Sequence, residues 1–218
     1  MGLWERAGRR AAAVCAFGSG LLLASGAAAP PGASRLGLLF YVLGDLGVVL
    51  AGLAAVGLYR SAAEGRVSGQ AGVLGGILGG LAAALGLVMA AYDVLWLLAG
   101  PGMYAQTLMP APTVISQVPF LAVWGALLLL GVEVFRGGAF GAWRWLPLVL
   151  ALLSFPTPVI LSSLLGLGEG LGIRSLGIPL LLPAAGWVAL GVLLWTGGGN
   201  ATRPPLTPSR PGGGAGGG

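Results

Sequence analysis

The chain has 218 residues, of which 56% are hydrophobic and only 8% are charged. Soluble domains carry ~25% charged residues, so this composition excludes a soluble fold. The net charge of +5 comes from eleven basic residues that are all arginines, with no basic stripe interleaved with aromatic residues, which argues against a nucleic-acid partner. Because there is no histidine and only one cysteine, Cys15, we expect neither a metal site nor a cofactor.

Long apolar segments recur along the chain, most of them near the ~20 residues that span the hydrocarbon core of a bilayer. They predict six transmembrane helices, at residues 11–29, 37–59, 71–99, 113–135, 145–165 and 176–196. The predicted fold class is therefore all-α, a polytopic transmembrane helix bundle over residues 1–197 with the lipid bilayer as its surroundings. Residues 198–218 are rich in glycine and proline and are predicted to form a disordered tail.

Arginines are distributed unequally between the two ends of these predicted spans. Nine flank the side that carries both termini, and two, Arg35 and Arg174, flank the other side. The positive-inside rule then predicts a multi-pass protein of the cell membrane with both termini in the cytoplasm. An alternative is that residues 1–27 form a cleaved signal peptide, because a basic start precedes an apolar core and small residues. Cleavage would leave five spans and an outside N-terminus.

The run AGVLGGILGGLAAALG at residues 71–86 would break a helix in water, but in lipid the backbone has no competing partner. Its small residues recur every four positions in two rows, which predicts smooth surfaces for close helix packing. The rows contain Gly72, Gly76 and Gly80, and Gly75 and Gly79. Packing within the bundle is favoured over homodimerisation, because six spans offer many internal partners.

Two aspartates, Asp45 and Asp93, lie inside the second and third predicted spans. At 100° per residue, both lie on faces of small and polar residues that suit the bundle interior. Counted from the outer span ends at the helical rise, they lie ~12 and ~10 Å deep, so we expect them at about the same level. A charge at the centre of a membrane helix costs ~2.5–3.5 kcal/mol. The acids could be protonated, bind a cation, or pair with Arg174.

These observations lead to the hypothesis of a proton- or cation-responsive site in the outer half of the membrane. Its candidate residues are Asp45, Asp93, Tyr41, Tyr92, Gln117 and Arg174. The leading function is a small carrier or channel for protons or a small cation, without enzymatic activity, because ionisable residues inside membranes are functional by default. The alternative is a structural or assembly protein that packs through its small-residue faces, in which the acids only hydrogen-bond nearby polar groups.

A few residues resemble motifs of the aspartyl intramembrane proteases. Tyr92–Asp93 is similar to the Tyr-Asp pair of that family, and Gly44–Asp45 to the second half of its Gly-x-Gly-Asp motif. Val42 stands where the first glycine belongs, the order of the motifs is reversed, and residues 183–185 (Pro-Ala-Ala) match a Pro-Ala-Leu motif imperfectly. The resemblance implies hydrolysis by one protonated and one ionised aspartate around a shared water, which is a further alternative.

Overall fold

The computed structural model describes residues 3–27, 35–64, 69–99, 118–137, 140–154 and 181–196. These ranges form the helices α1 (Leu3–Ala27), α2 (Arg35–Glu64), α3 (Gln70–Ala99), α4 (Val118–Gly137), α5 (Leu146–Ser154) and α6 (Leu181–Thr196). A 3₁₀ turn at Gly141–Trp143 precedes α5. Within the described ranges there is no strand, which confirms the all-α class.

Three of the helices are long and apolar enough to cross a membrane: α2 over Arg35–Ser61, α3 over its whole length, and α4. They overlap the predicted second, third and fourth spans, although residues 113–117 lie outside the described part. The helix α1 begins eight residues before the predicted first span. The helices α5 and α6 are shorter apolar helices, and the remaining parts of their predicted spans lie outside the described residues. Helices of this length and composition are typical of a membrane-embedded protein.

Proline marks the start of three helices. Pro119 and Pro147 are the second residues of α4 and α5, and Pro183 is the third residue of α6. In the first turn of a helix the backbone N–H has no intrahelical partner, so a residue that lacks this group loses nothing there. The sequence therefore sets where these helices begin.

The six helices close into a bundle. Each helix packs against the next along the chain, and α6 packs against α1. Since α2 also packs against α4, the helix α3 lies in the groove outside this pair. Accordingly, α3 carries more exposed large apolar side chains than any other described helix: Val73, Leu74, Ile77, Leu81, Leu87, Val88, Val94, Leu95 and Leu98.

Helices that follow one another along the chain run antiparallel, as do α1 and α6, because contact positions rise along one helix while they fall along the other. The contacts are Ala12–Gly57 and Leu23–Gly47 between α1 and α2, Tyr59–Gly76 and Val49–Gly86 between α2 and α3, Leu130–Gly75 and Leu78–Gly125 between α3 and α4, and Arg10–Trp195 and Gly20–Ala184 between α1 and α6. Arg144 lies over Phe135, which brings the start of α5 to the end of α4. Among the side chains that the structure describes, five arginines therefore lie at one end of the bundle, which we call the arginine-rich end: Arg9, Arg10, Arg60, Arg136 and Arg144. Arg35 lies at the opposite end.

The glycines of α3 approach two different neighbours. Gly75 lies against Leu130 of α4, and Gly79 lies against Ala55 of α2. Gly72 and Gly76 both lie against the ring of Tyr59.

Gly80, which is predicted to pack in the same row as Gly72 and Gly76, has no neighbour on another helix within the described part of the chain. Gly80 is exposed, and a Cβ built on it would meet no described atom within 4 Å. The reason is that α2 and α4 cover only two sides of α3, while Gly80 lies on the remaining, outward side.

Glu133 ties α4 to the start of α3. Helical spacing favours a pair with Arg136, three residues later. In the structure Glu133 is half-buried, and the backbone N–H of Gly69 donates a hydrogen bond of 2.7 Å to its Oε1. Because Gly69 precedes the first residue of α3, the carboxylate satisfies an N–H group that a helix start leaves without an intrahelical partner. It also faces the positive end of the α3 dipole.

Candidate functional site

Both aspartates face the interior of the bundle, as their helical positions predict. Asp45 on α2 is 7% exposed, and Asp93 on α3 is 0% exposed. Val48, one turn from Asp45, is also buried, whereas Leu39 and Leu53 on the other side of α2 are exposed. Sequence periodicity therefore identifies the buried face of each helix correctly.

The register between α2 and α3 differs from the predicted one. Gly86 lies level with the turn between Asp45 and Val49, since a Cβ built on Gly86 would lie 3.1 Å from Val49 Cγ2 and 3.4 Å from the carbonyl oxygen of Asp45. Asp45 is therefore level with a residue about two positions after Gly86, and Asp93 lies about five residues, or ~7 Å, further along the axis of α3. The two aspartates are therefore staggered along the bundle, and the expectation that they lie level is wrong.

Side-chain direction partly offsets this stagger. Every Cα–Cβ bond tilts toward the start of its helix. Because α2 and α3 are antiparallel, the side chain of Asp45 leans toward the opposite end of the bundle, and that of Asp93 leans back toward the arginine-rich end. The two carboxylates lean toward one another from different levels.

Neither aspartate is isolated within the protein. Each makes a hydrogen-bonding or electrostatic interaction. In addition, one oxygen of each, Asp45 Oδ2 and Asp93 Oδ1, is enclosed and accepts no hydrogen bond from the described residues. A carboxylate offers about four acceptor positions, so both groups retain capacity for a proton or a cation.

The other predicted site residues are only partly assembled around the aspartates. Tyr41 lies one turn before Asp45 on α2 and is half-buried. The ring of Tyr92 packs edge-on against Trp96, with centroids 5.9 Å apart and an interplanar angle of 72°. Gln117 and Arg174 lie outside the described residues, as does the predicted tail at 198–218.

A small, partly open cavity lies between the described helices and is lined by all of them except α3. Its volume is about 20 Å³, and Val48, Phe120, Ser154 and Trp187 are among the residues that line it. A cavity needs ~10–15 Å³ to hold one water, so this one accepts a single water-sized species. Phe120 is the third residue of α4, which places the cavity toward the end opposite the arginines. Val48 lines the cavity and also lies on the buried face of α2 that carries Asp45; we call this face the stripe of α2.

Two serine hydroxyls in this region were not identified from the sequence. Ser154 Oγ, at the cavity, and Ser19 Oγ, one turn before Leu23 of the cavity wall, are buried and have no hydrogen-bond partner among the described residues. Serines in helices commonly bond to the carbonyl one turn back, as Ser61 does to Gly57. No local sequence signal distinguishes the two kinds of serine, because the difference arises from packing between helices.

The chemistry of an aspartyl intramembrane protease requires two carboxyl groups within hydrogen-bonding range of one water. The two aspartates lie on adjacent helices and differ in level by about five residues, and this alternative stays a prediction. Comparison with protein-family models, with curated proteins and with solved structures finds no match to this chain.

Proposed function

We propose that the protein is a multi-pass protein of the cell membrane in which all six helices cross the bilayer. The alternating directions of neighbouring helices support this proposal, because they fit an up-and-down bundle with both termini on one side. The arginine-rich end is then cytoplasmic, as the positive-inside rule requires. Three exposed tryptophans at the same end, Trp143, Trp145 and Trp195, are typical of a membrane–water interface.

Single cysteines introduced into a Cys15→Ala background test this topology. A membrane-impermeant maleimide is expected to label Leu36→Cys in intact cells, and Ala7→Cys, Arg60→Cys and Thr196→Cys only after permeabilisation. All four positions are exposed at the ends of helices. Labelling of Arg60→Cys from outside would overturn the orientation. Loss of the Ala7→Cys site from the mature protein would show cleavage of residues 1–27.

We propose further that this bundle is a small carrier or channel with a proton or cation site at Asp45. The observation that carries the proposal is the burial of Asp45 on the stripe of α2 that borders the water-sized cavity. An ionised carboxylate at this depth costs ~2.5–3.5 kcal/mol, and a bound proton or cation removes much of that cost. Ser154 supplies a hydroxyl to the cavity, and Asp93 supplies a second carboxylate at the next level.

Purified protein in liposomes, loaded with a pH-sensitive dye, tests the site. The wild type is expected to carry protons, or Na⁺ or K⁺ coupled to them, faster than empty liposomes do. Asp45→Asn is expected to lower that flux at least about tenfold, which corresponds to about 1.4 kcal/mol. Glu133→Gln is the matched control, because it makes the same acid-to-amide change at the arginine-rich end and is expected to leave the flux unchanged.

An Asp45→Asn/Asp93→Asn double variant with the flux of the wild type would overturn the carrier proposal. A structural or assembly role would then remain as the second candidate. It is favoured by one observation: Gly80 and Ala84, one turn apart, form a short exposed row of small residues on the outer side of α3. Such a row permits close approach of another membrane helix.

A further inference from the structure

The described segment before α5, residues 140–145, is a tight turn whose backbone is fixed by packing. Phe140 has φ 66° and Gly141 has φ 56°, so two successive residues are left-handed. A positive φ is uncommon for any bulky non-glycine residue. Phe140 is half-buried and packs against the hydrophobic core, and this anchor holds the strained conformation.

This turn presents an aromatic and basic surface, which we call the Trp-Arg corner. It consists of Phe135, Arg136, Trp143, Arg144 and Trp145, all of which are exposed. The indole rings of Trp143 and Trp145 lie 5.6 Å apart at an angle of 34°. The guanidinium of Arg144 lies over the ring of Phe135, 4.8 Å from its centroid.

The chemistry of the corner suits a phosphate at a membrane surface. A guanidinium that stacks on an aromatic ring keeps its N–H donors free along its edge, where they match a phosphate in a bidentate manner. Arg136 adds a second exposed cation, and residues 134–150 contain no acid. Glu133, the nearest acid along the chain, is engaged by the backbone N–H of Gly69.

The exposed indoles distinguish a lipid headgroup from free phosphate. Tryptophan carries a large apolar ring and one N–H donor, and it prefers the level of the headgroups, where one side is apolar and the other wet. Free phosphate would make no use of the apolar rings. A similar pairing recurs at the same end, where the guanidinium of Arg10 lies 5.7 Å from the ring centroid of Trp195.

We propose that the Trp-Arg corner binds the headgroup of an anionic phospholipid in the leaflet at the arginine-rich end. The proposal rests on the proposed membrane topology and not on the proton or cation site. Both exposed arginines contribute to the preference for anionic over zwitterionic lipid. Each arginine near an anionic surface is worth about a fivefold gain in affinity.

Native mass spectrometry of the full chain in detergent, titrated with dioleoyl phosphatidylglycerol or dioleoyl phosphatidylcholine, tests the proposal. The wild type is expected to bind phosphatidylglycerol at least about fivefold more tightly. Arg136→Gln/Arg144→Gln is expected to remove that preference, and Trp143→Ala/Trp145→Ala to weaken binding of both lipids. Arg35→Gln, an exposed arginine at the opposite end, is the matched control and is expected to keep the preference.

Three outcomes would overturn the proposal. Equal affinity of the wild type for both lipids would leave an acidic protein segment as the partner of the corner. Displacement of phosphatidylglycerol by millimolar inorganic phosphate would make the corner a free-anion site. If Arg35→Gln lost the lipid preference to the same degree, the preference would depend only on the overall charge of the protein and not on the corner. Asp45→Asn is expected to leave lipid binding unchanged, so failure here and failure of the carrier proposal are separate results.

Discussion

Gly52→Ala is expected to lower the free energy of unfolding by about 1–3 kcal/mol, the usual cost of forcing extra atoms into a packed interior. Gly52 on α2 lies at the closest approach to α3, where its neighbours are the backbone of Gly79 and Ala83. A Cβ on Gly52 would lie 2.7 Å from the backbone nitrogen of Ala83. Because the obstructing atoms belong to the backbone of α3, no side-chain rotation relieves the clash, and the two helices must separate.

Gly80→Ala is the matched control, because it adds the same methyl group to a helical glycine that has open space around it. Replacing a mid-helix glycine by alanine stabilises a helix by roughly 0.5–1 kcal/mol, so this variant is expected to be neutral or slightly more stable. Both variants are measured by reversible unfolding in mixed detergent micelles, followed by circular dichroism. Equal loss of stability in the two would contradict the assigned packing between α2 and α3.

The inward direction of Asp45 and Asp93 could be predicted because it depends only on the helical period. Each aspartate shares its face with small residues of its own helix, and this local pattern survives folding. Their relative level could not be predicted in the same way. Counting from the predicted span ends assumes that those ends are level, whereas the register of α2 against α3 is fixed by contacts such as Gly52 against Ala83.

Contacts between segments that are distant along the chain account for the other differences between the sequence predictions and the structure. Helical spacing relates Glu133 only to residues such as Arg136 on its own helix, but the carboxylate meets Gly69, which is 64 residues away. Periodicity groups Gly80 with Gly76, yet among the described residues only Gly76 has a neighbour on another helix, Tyr59 of α2. The clustering of arginines at one end could be predicted, because it follows from where the apolar segments begin and end.

Trp187→Ala is expected to lower the free energy of unfolding by about 3 kcal/mol, at the low end of the range for truncating a buried tryptophan. Trp187 on α6 is 1% exposed and lines the cavity. The low end applies because a membrane helix gains little from the transfer of apolar surface out of water, so the loss is mainly of packing contacts. Trp187→Phe retains an aromatic ring and is expected to lose less stability, measured by the same unfolding assay.

The enlarged cavity of Trp187→Ala also gives a functional prediction. Removing the indole admits further water beside the stripe of Asp45, so proton flux in liposomes is expected to rise above that of the wild type. A loosened bundle could leak without involving the aspartate, and the Trp187→Ala/Asp45→Asn double variant separates the two causes. If the conducting path includes Asp45, the double variant falls to the flux of Asp45→Asn alone. If it keeps the raised flux, the added water bypasses the carboxylate, and Asp45 is not the site through which protons pass.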